Sequence, residues 1–238
     1  MHRFVWDLTY PAPDVLSRDY PISAIYHDTP LYPLGAAVLP GKYKVVLKVG
    51  GKGLAQTLEI RMDPRVKPSP EDLRRQFDLD REIADALHKD HEALQQIRSL
   101  RSQLKAIKAD GQAGFAKAAS DVDAKAAAIE GAEGGYGSRY LSTPEGRSLS
   151  RLNGGYNAVL SALDTADAAP TTQQVTTFKE LEKALQEQLS AWSQITSRDI
   201  PAFNDELKKA GKAVIDLKKA AAENSAEIGS KDRDQNEE

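Results

Sequence analysis

The chain has 238 residues, no cysteine, 32 Lys and Arg against 35 Asp and Glu, and a net charge of -3. Without a thiol it has no disulfide, thiolate nucleophile or cysteine-ligated zinc of its own, and its interspersed charges lay down no basic footprint for a nucleic-acid backbone. Its mean hydropathy of -0.51, with no apolar run near the ~20 residues of a membrane-spanning helix, describes a modest core and much polar helix surface.

Met1-His2-Arg3-Phe4 lacks the apolar run and small residues of a signal peptide. Period-2 alternation over Phe4-Val5-Trp6-Asp7-Leu8 predicts a strand with Phe4, Trp6 and Leu8 on one face. A long stretch with Pro11, Pro13, Pro21, Pro30 and Pro33 follows, which reads as an excursion over a sheet edge because proline donates nothing to a ladder. Tyr43, Val45, Leu47 and Val49, then Leu54, Leu58, Ile60 and Met62, predict two further strands, joined at Gly50-Gly51-Lys52-Gly53 by glycines able to take positive φ. Three or four strands fall short of the roughly seven of an immunoglobulin-like sandwich. Either earlier strands lie upstream of Met1, making this the second half of such a domain, or the helices cover this sheet; the first is the expectation.

Composition changes at Asp63-Pro64, and Asp63 to Pro68 reads as a proline-stiffened linker. Ser69 as N-cap, Pro70 at the first helical position and acidic Glu71 and Asp72 open a long helix. Its stripe is Leu73, Phe77, Ala84, Leu87, Leu94, Ile97, Leu100, Leu104 and Ile107. Phe115, Ala119, Val122, Ala126 and Ile129 mark a second helix that ends at Gly131. Thr143-Pro144-Glu145 caps a third, carrying Leu149, Leu152, Tyr156, Leu160 and Leu163, and Val175 to Ile195 defines a fourth. Ser197 to Pro201 reads as a break, with a fifth helix on Phe203, Leu207, Ala210, Val214 and Leu217. One apolar stripe per helix is the pattern of an antiparallel bundle.

The predicted fold class is thus α+β in two parts, a partial antiparallel β-sandwich of immunoglobulin type followed by an antiparallel four- to five-helix bundle. The expected boundaries are a β domain over 1–63, a linker over 64–69, a bundle over 70–222 and a disordered charged tail over 223–238.

Several residues invite a chemical reading. His88 and His91, with Asp85 and Glu92, have helical spacing that could converge on a metal, but match neither zinc-protease motif, and His91 falls on the apolar stripe. Gly134-Gly135-Tyr136-Gly137-Ser138-Arg139 lacks the Gly-Lys-Ser/Thr of a phosphate loop and reads as a connection. No pair of carboxylates stands out as a glycosidase dyad, and no Gly-x-Ser-x-Gly elbow occurs. Trp6 and Trp192 sit in phase with apolar stripes, which favours packing. Tyr20, Tyr26, His27, Asp28 and Tyr32, on the proline-rich excursion, have no sheet register to bury them and form the candidate contact surface. The residues name no catalytic group, cofactor or metal.

The order Arg3-Phe4-Val5-Trp6-Asp7-Leu8, a proline-rich insertion, Pro40-Gly41-Lys42-Tyr43, then Asp63-Pro64-Arg65-Val66 resembles the C-terminal region of large bacterial exported proteins with sortilin-like, BNR-repeat β-propellers, often labelled glycosyl hydrolases. Leu152-Asn153-Gly154-Gly155-Tyr156, the run Asp164 to Thr171, Trp192 and Asp199-Ile200-Pro201-Ala202-Phe203-Asn204 resemble the tail bundle of the same family. Trp6-Asp7 with Pro40 to Tyr43 is also similar to the immunoglobulin-like domain of flagellar hook-capping proteins. The likeness spans residues 3 to 220. It implies an exported, non-catalytic accessory module that packs on the upstream propeller or another protein, and the charge and hydropathy of the chain add neither nucleic acid nor a transmembrane segment. Two alternatives stay open: a contribution to a glycan- or peptide-acting hydrolase whose site lies mainly upstream, and a self-associating helical structural protein.

Overall fold

A glycine pair sets the geometry of the sheet. Gly50 and Gly51, at φ 54° and 79°, form the two-residue turn whose twist matches the right-handed twist of paired strands. β1 (Gly41–Val49) and β2 (Lys52–Ile60) pair antiparallel across it, with Tyr43 opposite Leu58, Val45 opposite Gln56 and Leu47 opposite Leu54. The turn is thus shorter than predicted, since Lys52 and Gly53 belong to β2. The computed structural model describes residues 4–16, 18, 32–109, 113–131 and 147–217; it is a mixed α+β chain whose described sheet has two strands.

The expected strand over Phe4–Leu8 does not form. Leu8 sits at φ 65°, a left-handed conformation that ends the alternation, and Phe4 is 89% exposed. Pairing begins only at the next residues, where the amide of Tyr10 donates to Ala36 O and that of Val38 to Leu8 O. Gly35 is needed there, because a Cβ would lie 1.9 Å from Tyr10 O. The described part of the expected sandwich is therefore one hairpin and one isolated bridge.

Among the described residues five α-helices follow: α1 (Pro70–Ala109), α2 (Ala113–Glu130), α3 (Leu149–Leu163), α4 (Thr172–Gln194) and α5 (Ile200–Lys209). Ser69 Oγ accepts the Asp72 amide at 3.1 Å while Asp72 Oδ2 accepts the Ser69 amide at 3.2 Å, a reciprocal cap that satisfies two otherwise orphaned donors. Thr171 and Gln174 repeat the device on α4. α1 packs against α2, α3 and α4, and α3 against α4, so the helices share one core in which Leu87, Leu94, Ile97, Leu100, Leu152, Tyr156 and Leu160 are fully buried. Each such aliphatic side chain contributes about 1.5–3 kcal/mol by leaving water. Arg98 and Arg101 on α1 both meet the buried carboxylate of Glu130 on α2, and Arg101 and Lys108 meet Asp123, fastening this pair of helices along its length.

The predicted break at Ser197–Pro201 is a π-helical turn, Ile195–Asp199. Proline lacks the amide that would continue the ladder and crowds the carbonyl four residues back. Widening the turn relieves this, and the Ile200 amide donates to Ile195 O, five residues back. The extra residue also keeps the apolar face continuous, since Trp192, Ile195, Ile200, Phe203 and Leu207 are all buried across a five-residue step. α5 then stops earlier than predicted. Gly211, at φ 67°, donates to Lys208 O, and Lys212 donates to Leu207 O, the double bond of a Schellman ending. Ile215 rather than Val214 enters the core, held by Asn204, which donates to Ile215 O and accepts from its amide.

Residues 10–16 lie against these helices. The Leu16 amide donates to Asn153 Oδ1, Asp14 Oδ2 is 2.7 Å from His88 Nδ1, and Tyr10 packs on Phe77 with the Arg81 guanidinium over its ring, 5.1 Å from the centre. Among the described residues no helix is long and apolar enough to cross a membrane.

Candidate functional site

Residues directly opposite in an antiparallel pair share a face, so the register sorts the hairpin into two. One face carries Tyr43, Val45, Leu47 and Val49 from β1 with Lys52, opposite Val49, and Leu54, Gln56, Leu58 and Ile60 from β2. The other carries Lys42, Lys44, Val46 and Lys48 opposite Glu59, Thr57, Ala55 and Gly53. Among the described residues, only the base of the apolar face has a covering side chain. Trp6 meets Tyr43 edge to face at 5.9 Å, and its indole N–H donates to Thr9 O. Towards the turn the face is open, with Leu47 59%, Val49 65% and Leu54 71% exposed. Among the described residues no further strand pairs with the outer edge of β1 or of β2. A two-stranded hairpin with an apolar face in water is marginal alone, and a third strand or a helix normally completes it.

The residues singled out in the sequence do not assemble into one site. Tyr20, Tyr26, His27 and Asp28 lie outside the described residues, as do Gly134–Arg139 and Thr143–Glu145. Tyr32 is half-buried. His88 is exposed and its pKa is raised, first by its hydrogen bond to Asp14. His91 points elsewhere: Nε2 lies 3.2 Å from Gln95 Nε2, Nδ1 is buried without a partner, and burial pushes its pKa down. Among the described residues no three His, Asp or Glu stand close enough to hold a metal. Trp192 is buried, its N–H donating to Gln96 Oε1 at 2.9 Å, which is the packing role read for it. Trp6 is half-buried at the hairpin base.

Sequence reasoning missed two buried acids on α1. Asp90 is 0% exposed; Asn153 Nδ2 donates to its Oδ2 at 2.8 Å while Oδ1 has no partner, and burial pushes its pKa up to about 7. Asp80 is 4% exposed, and burial followed by the nearby charge of Asp164 raises it to about 7. Both fall in phase with the stripe, Asp80 three residues before Ile83 and Asp90 three after Leu87. That phase was the available signal, since an acidic residue on an apolar stripe is buried by its neighbours. No family model, no curated protein and no solved structure matches this chain.

Proposed function

We propose that the chain is a non-catalytic accessory module of a larger exported β-propeller protein, and that the β1–β2 hairpin is its docking element. The occupant is a set of strands from an immunoglobulin-like domain lying upstream in that protein, which pair with a free edge of the hairpin and cover its apolar face. In this reading the helices form an antiparallel bundle that presents the hairpin on a rigid base. The observation that carries the proposal is the open row Val45, Leu47, Val49 and Leu54 on one side of a two-stranded sheet. Strand addition suits it: main-chain bonds at the edge supply affinity and the alternate apolar side chains supply register. The lysine-bearing opposite face remains in water and guards against indiscriminate pairing. The propeller parent and its export rest on the motif resemblance over residues 3 to 220.

The test uses native protein from the source organism, isolated with an antibody against residues 70–217, beside the recombinant chain. The proposal expects a native species well above the mass of this chain, in an exported fraction, with amide exchange across 41–60 slowed at least tenfold relative to the recombinant chain. A native species of this chain's own mass, with hairpin amides exchanging at the recombinant rate, overturns it.

A further inference from the structure

Beside the hairpin base, a cavity of about 70 Å³ opens between segment 37–40, Met62, the first turns of α1 and the connection after α3. Its walls are apolar, made by Val38, Leu39, Met62, Leu73 and Phe77, while its acids are Asp80, Asp164 and Asp167. Asp80 forms the floor. It is 4% exposed, and among the described residues no hydrogen bond or ion pair reaches its carboxylate. Asp164 and Asp167 are exposed at the rim. Gln76 is fully engaged elsewhere, donating to Leu163 O and Ala166 O and accepting from the Ala168 amide. It therefore supplies nothing to Asp80. Arg81, the cation next to Asp80 in the chain, lies over the Tyr10 ring. The C-terminal end of α3, at Asp164, adds the negative pole of a helix dipole.

A buried carboxylate that no group among the described residues hydrogen-bonds, and that Arg81 offsets only at a distance, costs free energy that a bound cation would recover. A metal ion finds too few ligands here, since no three acidic or imidazole groups among the described residues converge. A cation with an apolar stem fits better, because one carboxylate and water satisfy an ammonium while the walls enclose methylenes. We propose that this cleft binds an aliphatic primary ammonium group, with Asp80 pairing to the nitrogen and Asp164 and Asp167 drawing it in from the rim. This is independent of the docking role given to the hairpin. The groups facing Asp80 are Asp164 and Asp167 from the α3–α4 connection and Arg81 from its own helix; Ala37 to Pro40 and Met62 contribute no charge. Burial also raises Asp164, to about 6, although the residue as a whole is exposed, so Asp80 is the stronger perturbation and the site of proton exchange.

The full chain is titrated calorimetrically with n-propylammonium chloride and, separately, with the Nα-acetyl methylamide of lysine, in phosphate and in HEPES. Saturable one-to-one binding is expected, with a heat that differs between the buffers because the ammonium displaces a proton from Asp80. Affinity should rise about tenfold from pH 6 to pH 8, as a carboxyl titrating near 7 is freed of its proton. Asp80→Asn should abolish binding and Asp164→Asn weaken it severalfold, while Asp205→Asn, on the exposed face of α5, leaves it unchanged. Circular dichroism establishes that each variant is folded. Preference for the free amine points to a small-molecule ligand, and preference for the lysine derivative to a protein-borne side chain. Failure of both probes to bind at tens of millimolar, or binding that survives Asp80→Asn, overturns the proposal.

Discussion

Replacing Asp90 by Asn tests how the α1–α3 core is held. The carboxyl is fully buried, with one hydrogen bond from Asn153 and one oxygen without a partner. Burial dominates its shift from 3.8 to about 7, opposed by the Asn153 hydrogen bond and by Arg98. The other titratable groups close by are Tyr156 on α3, itself pushed up by burial and then by Asp90, and His91, pushed down by burial. The raised value fixes the sign. The folded state holds its proton more tightly than the unfolded chain, so the associated stability is fully present below pH ~4 and is lost as pH rises through about 7. About three pKa units at about 1.4 kcal/mol each set a ceiling of roughly 4 kcal/mol, which relaxation around the ionised group lowers to about 2–4 kcal/mol. Asn keeps the acceptor for Asn153 and cannot ionise. Urea unfolding followed by Trp192 fluorescence and by circular dichroism should show the variant more stable than wild type by about 2–4 kcal/mol at pH 8 and within about 1 kcal/mol at pH 4. Stability curves of equal slope between pH 4 and 8 would refute the burial argument. Asp80 contributes to the slope of both proteins and therefore does not mimic this difference.

Leu54→Glu on the open hairpin face should change the stability of the isolated chain by no more than about 0.5 kcal/mol, since the side chain is 71% exposed, yet prevent recovery of the larger native assembly; loss of stability above about 2 kcal/mol in urea would mean the face is already packed. Glu130→Ala leaves Arg98 and Arg101 without their shared carboxylate and should cost about 1–3 kcal/mol in the same assay, less in high salt for the part that is exposed. Gly131→Ala should cost more than about 1 kcal/mol, because φ is 69° and a Cβ would meet Ser148 Oγ at 2.0 Å. Asn204→Ala removes both bonds that hold Ile215 and should speed amide exchange over 212–217 before any change in the exchange of α1.

The helical stripes were legible because burial there repeats locally. Leu87, Leu94, Ile97, Leu100 and Leu104 are the floor of the core, as their spacing implied. The stripe was shifted at its N-terminal part: Ile83 is fully buried while Ala84 is half-buried, a choice that depends on which neighbour α1 meets there. Asp80 and Asp90 were not singled out although both are in phase with that stripe. The ending of α5 was also misplaced, because Val214 and Leu217 continue a plausible period past Gly211, and it took the positive φ of that glycine to end it. Phe4–Leu8 shows the weakness of short β patterns. Alternation over five residues describes a strand only if a partner lies beside it.

The sequence by itself determined the glycine turn of the hairpin, the α1 cap, the order of the helices and most of the apolar residues that face inward. These are short-range matters, set by glycine at positive φ, by side chains that reach amides three residues on, and by periodicity. Only the tertiary structure decided that the Pro201 region widens into a π turn, that Asp80 and Asp90 lose their water, and that the apolar face of the hairpin stands uncovered. Each of those depends on which surfaces meet across the core, and burial is a property of the meeting rather than of either strand or helix alone.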